Sequence, residues 1–266
     1  VIQYQDSDRL RWRSLLEAAL EKPEDPTIIV TLRRSFKSAA RPVFGRGIDK
    51  QEYVIKGQQA GRQIINDQII ARLGQAMGAP VAEPRIVEID EELVDDPEFS
   101  YLTPGTAHGV IFIPDCSDDR EPVQYIKQPE NRSRFALLAV LYGWVEAHDQ
   151  QFIYKTARPN LVFSVDHGHF FPSGPNWTIA NLRDTLKQTP QPSVDELLSS
   201  KCKFSHAETL AALEHLQTMT EQKIIQAVAS PPKQWQITIE ERVALMEYLI
   251  VRQQQLLSND NLSDQD

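Results

Sequence analysis

The stretch Pro159–Phe171, PNLVFSVDHGHFF, decides how the rest of the chain is read. Leu161, Val162, Phe163 and Val165 form an apolar run of strand length. The run stops at Asp166, and His167, Gly168 and His169 follow before the chain turns apolar again. A carboxylate closing a buried strand is costly unless its charge is compensated. Asp166 therefore requires a partner: a metal ion, an arginine or a set of backbone N–H groups.

Composition limits the alternatives. With 266 residues, 41% hydrophobic and 24% charged, the chain can build one large domain or two lobes sharing a cleft. A net charge of −9 and a pI near 5.2 argue against direct nucleic-acid binding. Cys116 and Cys202 lie in no zinc-ligand spacing and read as cytosolic thiols. No apolar run is long enough to cross a membrane, and no basic-then-apolar leader opens the sequence. The expectation is a cytoplasmic protein with no membrane partner.

Outward from Asp166, residues 8–21 have helical spacing and end at KPEDP. Strands are predicted at 27–35, 41–47, 52–57, 83–90 and 108–114, with a helix at 61–78 that Gly78 caps. Residues 91–100 read as an acidic loop. A long apolar helix is predicted over 131–148, and helices over 193–200, 205–229 and 238–257. Because strands and helices segregate rather than alternate, the fold class is α+β with two lobes. The expected division is a helical extension at 1–26, a β-rich lobe at 27–114, a helical lobe at 115–257 and a disordered tail at 258–266.

Five positions form a candidate constellation. Lys56 ends the strand YVIK; taken alone it reads as a strand-end lysine reaching for water. Asp67 lies on the following helix, on a face shared with Ala71, Gly74 and Gly78 that would permit close approach to another backbone. Its bland reading is a solvated acid. Asp149 follows the long apolar helix and could simply cap what comes next, and Asn160, before the strand, could be only a turn residue. Two oxygen ligands beside a carboxylate base suit Mg²⁺, and a strand-end lysine in the other lobe suits phosphate. Those are the parts of a phosphoryl-transfer site. There is no GxGxxG loop. The nearest phosphate-loop candidate is RSFKSAARP at 34–42, with Ser35, Lys37 and Ser38, which otherwise reads as a solvated basic loop.

Several stretches make the resemblance specific: RPVFGRGIDKQEYVIKG, NDQIIARLGQAMGAPVAEPRIVEI, GWVEAHDQQ, RPNLV and, most telling, VDHGHFF. Together they resemble the HipA-like kinase family over roughly residues 30–175. The resemblance implies a two-lobed kinase-like fold with ATP and Mg²⁺ in the cleft. It implies Lys56 on the ATP phosphates, Asp67 in place of the usual lysine-pairing glutamate, Asp149 as catalytic base, and Asn160 and Asp166 as metal ligands. Ile113 and Asp115 would lie in the crossing beside the adenine. A bacterial Ser/Thr protein substrate is implied, and a protein partner with it.

Two departures from the family pattern matter. Asp67 is one methylene shorter than glutamate, and Asn160 lies eleven positions after Asp149. They keep a second reading open: a pseudokinase that senses nucleotide or binds protein. A metal-dependent phosphohydrolase built on His148–Asp149, His167, His169 and His108 is the weaker alternative, because its ligands should come from helices.

Overall fold

The computed structural model describes residues 4–118, 125–194 and 204–258. Its first lobe is a closed barrel of strands β1 (Thr27–Ser35), β2 (Val43–Gly47), β3 (Glu52–Lys56), β4 (Pro84–Ile89) and β5 (Gly105–Ile111), in the order β1-β2-β3-β5-β4. Side chains alternate across the barrel wall. Ile29, Val43, Tyr53, Ile55, Val87, Ile89 and Ala107 fill the interior. Phe44 pairs with Val54, Val54 with Val110 and Lys56 with His108, so these residues share the outer face. Helix α2 (Gln63–Met77) packs beside β4 and β5, and its C-cap Gly78 takes the left-handed conformation, φ 79°. A short helix, α3 (Glu91–Val94), stands within the expected acidic loop, with Asp90 as its N-cap.

The second lobe is built on α4 (Pro129–Val145), which is buried along most of its length. A small sheet of β6 (Cys116–Ser117), β7 (Gln151–Lys155) and β8 (Val162–Val165) lies against it, followed by α5 (Ile179–Thr185), α6 (His206–Gln217), α7 (Glu221–Ala229) and α8 (Ile239–Leu257). Tyr154, Val162 and Phe152 point to the α4 core, which leaves Ile153, Phe163 and Val165 on the sheet's other face. Helix α1 (Asp6–Leu20) belongs to this lobe by contact. Trp12 and Leu16 are fully buried in its core, Trp12 Nε1 donates to Glu221, and Arg9 grips Glu247.

The structure departs from the sequence reading in specific places. The last barrel strand spans 105–111 rather than 108–114, because Thr106 and Ala107 pair with Glu88 and Val87 while the chain leaves the sheet before Pro114. The segment 151–155, given no element in the sequence reading, is strand β7. The helix expected over 205–229 is two helices: Thr220 caps a new one by accepting from Lys223 N–H. Helix α5, begun by a capping box between Thr178 and Asn181, was not expected. Most of the helix expected at 193–200, and the tail from 259, lie outside the described residues.

The strand that carries Asp166 is also pinned to the first lobe. Ser164 N–H donates to Pro80 O at 2.8 Å, and Val81 bridges Ser164 in parallel. Gly74 makes this possible: a Cβ there would stand 2.9 Å from Val81 Cγ2 and 3.3 Å from Leu141 Cδ2. We predict that Gly74→Val destabilises the protein by about 1–3 kcal/mol through overpacking, measured by urea unfolding; unchanged stability would show that α2 does not press on Val81.

Candidate active site

Lys56 Nζ donates to Asp67 Oδ2 at 2.9 Å and to Asp166 Oδ1 at 2.5 Å. The lysine ends β3, Asp67 sits one turn into α2, and Asp166 follows β8 in the other lobe. The Lys56 and Asp67 side chains are almost wholly buried, while that of Asp166 is 25% exposed. Burial works to lower the pKa of Lys56, but Asp67 and Asp166 outweigh it and hold the ammonium charged. Burial likewise opposes ionisation of Asp67, and the Lys56 ammonium keeps it below the usual carboxylate range. The other oxygen of Asp67 accepts the His167 N–H at 2.7 Å, so one carboxylate binds the lysine and the turn after Asp166 together.

The two histidines beside this pair are buried and neutral. His167 Nε2 meets Ser164 Oγ at 2.9 Å, and Ser164 in turn accepts from Tyr142 Oη at 2.6 Å. Tyr142 thus donates to Ser164, and Ser164 Oγ and His167 Nε2 share one hydrogen bond whose direction follows the imidazole tautomer. His108 Nδ1 meets Gln68 Oε1 at 2.8 Å. Burial pulls both pKa values down to about 4. His148 is instead exposed and sits 3.6 Å from Glu146. His108 and His167 are therefore spent on structure, and among the described residues no three histidines or acids gather as the phosphohydrolase reading requires.

Asp149 and Asp166 stand at the same end of the β7–β8 hairpin, since Gln151 pairs with Val165. Both adopt left-handed backbone, φ 50° and 58°, a conformation aspartate tolerates and that recurs at functional sites. Asp149 is exposed and accepts from Gln151 Nε2 at 3.1 Å. Asn160 is not brought to them. It lies in the turn at the hairpin's other end, on the order of 15 Å along the strand from Asp166 at the usual rise per residue. Its side-chain Nδ2 donates to Lys155 O and its backbone carbonyl accepts from Asn131 Nδ2, while Asn131 Oδ1 takes the Val162 N–H. These contacts make Asn160 a hairpin residue. The amide beside Asp149 and Asp166 is Gln151, which sequence reading passed over because it was sought at catalytic-loop spacing.

The loop between β1 and β2 overhangs the Lys56 end of the sheet, because Ser35 pairs with Val43 and Val43 with Ile55. Lys37 and Ser38 are exposed at its tip, while Ser35 bonds Tyr101. Tyr101 Oη and Gln59 Nε2 donate to the Arg41 and Ala40 carbonyls, and the Arg41 guanidinium lies 3.5 Å over the Tyr101 ring. The crossing between lobes is Phe112–Asp115. It is tied at both ends: Phe112 N–H donates to Glu52 O, Lys155 Nζ to Pro114 O, and Thr156 N–H to Asp115 O. Ile113 and Asp115 thus stand in the crossing. Phe44, Val54 and Val110 were not singled out in the sequence, yet they form an apolar strip on the face that carries Lys56. Alternation in the strands held the signal.

Asp149, Asp166 and Gln151 offer hard oxygen donors, which suit Mg²⁺ or Mn²⁺ and not zinc. Among the described residues, no three acids, histidines or cysteines cluster closely enough to hold a metal alone. A concavity of about 1420 Å³ lies behind α2 between the α1–β1 linker and α7 and contains neither Lys56 nor Asp166. Four of its charged residues are paired with one another, Arg72 with Glu24 and Lys233 with Glu21. The chemistry converges in front of α2 instead.

The family model for HipA-like kinase matches residues 28–264, and the chain belongs to that family. The Helicobacter pylori proinflammatory kinase CtkA superposes with a TM-score of 0.60 at 10% identity, covering 87% of this chain and 93% of that one. A Golgi casein kinase solved with Mn/ADP bound is more distant, with a TM-score of 0.46 at 12% identity, covering 96% and 77%. No curated protein matches the sequence significantly. The fold is thus that of a kinase, with a strand-rich first lobe and a helical second. Among the described residues, no helix is long and apolar enough to cross a membrane.

The buried histidines make stability depend on pH. Their folded pKa values lie below that of free histidine, so the unfolded chain binds protons that the folded one refuses. Stability should be complete above about pH 6.5 and fall as pH drops toward 4. Urea unfolding between pH 4 and 8 should show this slope, and His167→Gln should flatten it; an equal slope in the variant would mean that His167 is not buried neutral.

Proposed function

We propose that the protein is an ATP- and Mg²⁺-dependent kinase that transfers a phosphoryl group to a hydroxyl, that of a Ser or Thr in a protein substrate. One observation carries the reading: Lys56 Nζ is shared between Asp67 on α2 and Asp166 across the cleft. This is the lysine–acid–metal-acid arrangement that phosphoryl transfer uses for positioning and charge neutralisation.

In this reading Lys56 turns from Asp166 to the ATP phosphates, and Asp67 keeps the ammonium in place. The β1–β2 loop covers the phosphates with Lys37, Ser38 and Ser35. Phe44, Val54 and Val110 roof the base, Ile153 and Val165 lie beneath it, and Ile113 and Asp115 edge it in the crossing. The lobes 27–114 and 115–257 divide the work between nucleotide and acceptor. Asp166 would hold the metal with the Gln151 amide oxygen, in place of Asn160; bound there, Mg²⁺ would neutralise charge on the phosphates. Asp149, exposed at the cleft mouth, takes the proton of the attacking hydroxyl.

The pseudokinase reading rests on one specific observation. Strand β7 begins two residues after Asp149, so no catalytic loop separates them and Asn160 falls at the far end of the hairpin. Incubation with labelled ATP and Mg²⁺ decides between the readings: phosphate transfer to the protein or to an added substrate supports the kinase, and tight binding without turnover supports the sensor.

Variants divide the roles further. Asp166→Asn should abolish both Mg·ATP binding and transfer. Asp149→Asn should leave affinity near the parent value while lowering transfer about 10²–10⁴-fold. Gln151→Ala should weaken nucleotide binding in Mg²⁺ but not in its absence, whereas Asn160→Ala should leave binding unchanged and cost about 1 kcal/mol of stability. Calorimetric titration beside a transfer assay reads all four; a metal-dependent loss confined to Asn160→Ala would restore Asn160 as the ligand.

A further inference from the structure

Asn66, next to Asp67 on α2, is fully buried and has its whole side chain engaged on one segment of the other lobe. Its Nδ2 donates to Gly168 O at 3.0 Å and to Phe170 O at 2.7 Å, and its Oδ1 accepts the Trp177 indole N–H at 2.9 Å. Asp67 holds the His167 N–H. A Cβ on Gly168 would lie 2.9 Å from Gln63 Cβ, so the turn after Asp166 presses directly on the helix. Two successive helix residues therefore hold residues 167–170 by donors and acceptors of opposite sense. A sliding or rotating α2 would strand these groups in a low-dielectric interior.

We propose that Asn66 is a positioning residue that locks α2 to the Asp166 turn, so that Lys56, Asp67 and Asp166 are assembled before any nucleotide arrives. In protein kinases the corresponding ion pair is controlled by movement of its helix. Here the helix and the metal-binding turn form one body, and control by helix displacement is absent. Only the nucleotide arm of the test below rests on the kinase reading.

The test is amide hydrogen exchange in the ligand-free protein, read at His167 with buried α8 amides as internal reference, beside Mg·ATP titration. Asn66→Asp keeps size and the acceptor for Trp177 but removes both donors. Asn66→Ala serves if that variant does not fold. The expected result is exchange at His167 faster by about tenfold or more with α8 unchanged, and Mg·ATP affinity weaker by about tenfold. Trp177→Phe, which removes the bond to Asn66 Oδ1 but keeps both Nδ2 donors and an aromatic ring beside Phe171, should have a smaller effect on both. Unchanged His167 exchange in a folded Asn66 variant overturns the proposal. So does acceleration shared equally by α8, or failure of every Asn66 variant to fold, since each shows a role in general stability alone. If the parent protein binds no Mg·ATP, the kinase reading fails while the exchange arm still decides for or against the lock.

Discussion

A lysine ammonium buried between two carboxylates from opposite lobes is the contact around which this structure is arranged. Removing Lys56 from water costs on the order of several kcal/mol, and only close, hydrogen-bonded acids offset it. Asp67 and Asp166 supply that offset at 2.9 and 2.5 Å. The group carries one positive and two negative charges, so it is attractive only while all three members stay in register. Loss of Lys56 would leave two acids facing each other. The cleft is thereby fixed where the two lobes meet, and the geometry that favours a phosphate and a metal is present in the protein alone.

The shorter side chain at position 67 shapes what surrounds it. An aspartate reaches less far than the glutamate usual at this point, so α2 must lie closer to β3 and to the turn after Asp166. Gly74 lets the helix settle on Val81, whose neighbour Pro80 accepts a hydrogen bond from Ser164. That close seating puts Asp67 within reach of His167 N–H and puts Asn66 against Gly168 and Phe170. The Tyr142–Ser164–His167 chain then satisfies the buried polar groups from the α4 side. One methylene removed from an acid is thus answered by small residues, a close helix and a set of buried hydrogen bonds.

Much of the barrel and the central triad was legible because each member carries a local physical signal. Asp166 ends an apolar strand, Lys56 ends another, and Asp67 sits on a helix with a face of small residues. Strand β7 was not legible: five residues with no clear alternation acquire strand geometry only by pairing with β8. That omission misplaced Asn160, because spacing along the chain cannot distinguish a catalytic loop from a hairpin turn. Gln151 escaped for the same reason, since its position beside Asp166 is created by cross-strand pairing. The attachment of α1 to the second lobe through Trp12, Arg9 and Glu247 is a long-range contact that no local pattern announces.

The central claim is that Lys56 faces the phosphates of a nucleotide held between the lobes, and chemical labelling tests it most directly. An acyl-phosphate derivative of ATP delivers its acyl group to the lysine lying against the phosphate chain. Mass spectrometry of the labelled protein should find the acyl group on Lys56, and excess ATP with Mg²⁺ should prevent its transfer. Labelling spread over the exposed lysines such as Lys37 and Lys50, with Lys56 unmodified and no protection by ATP, would contradict the account.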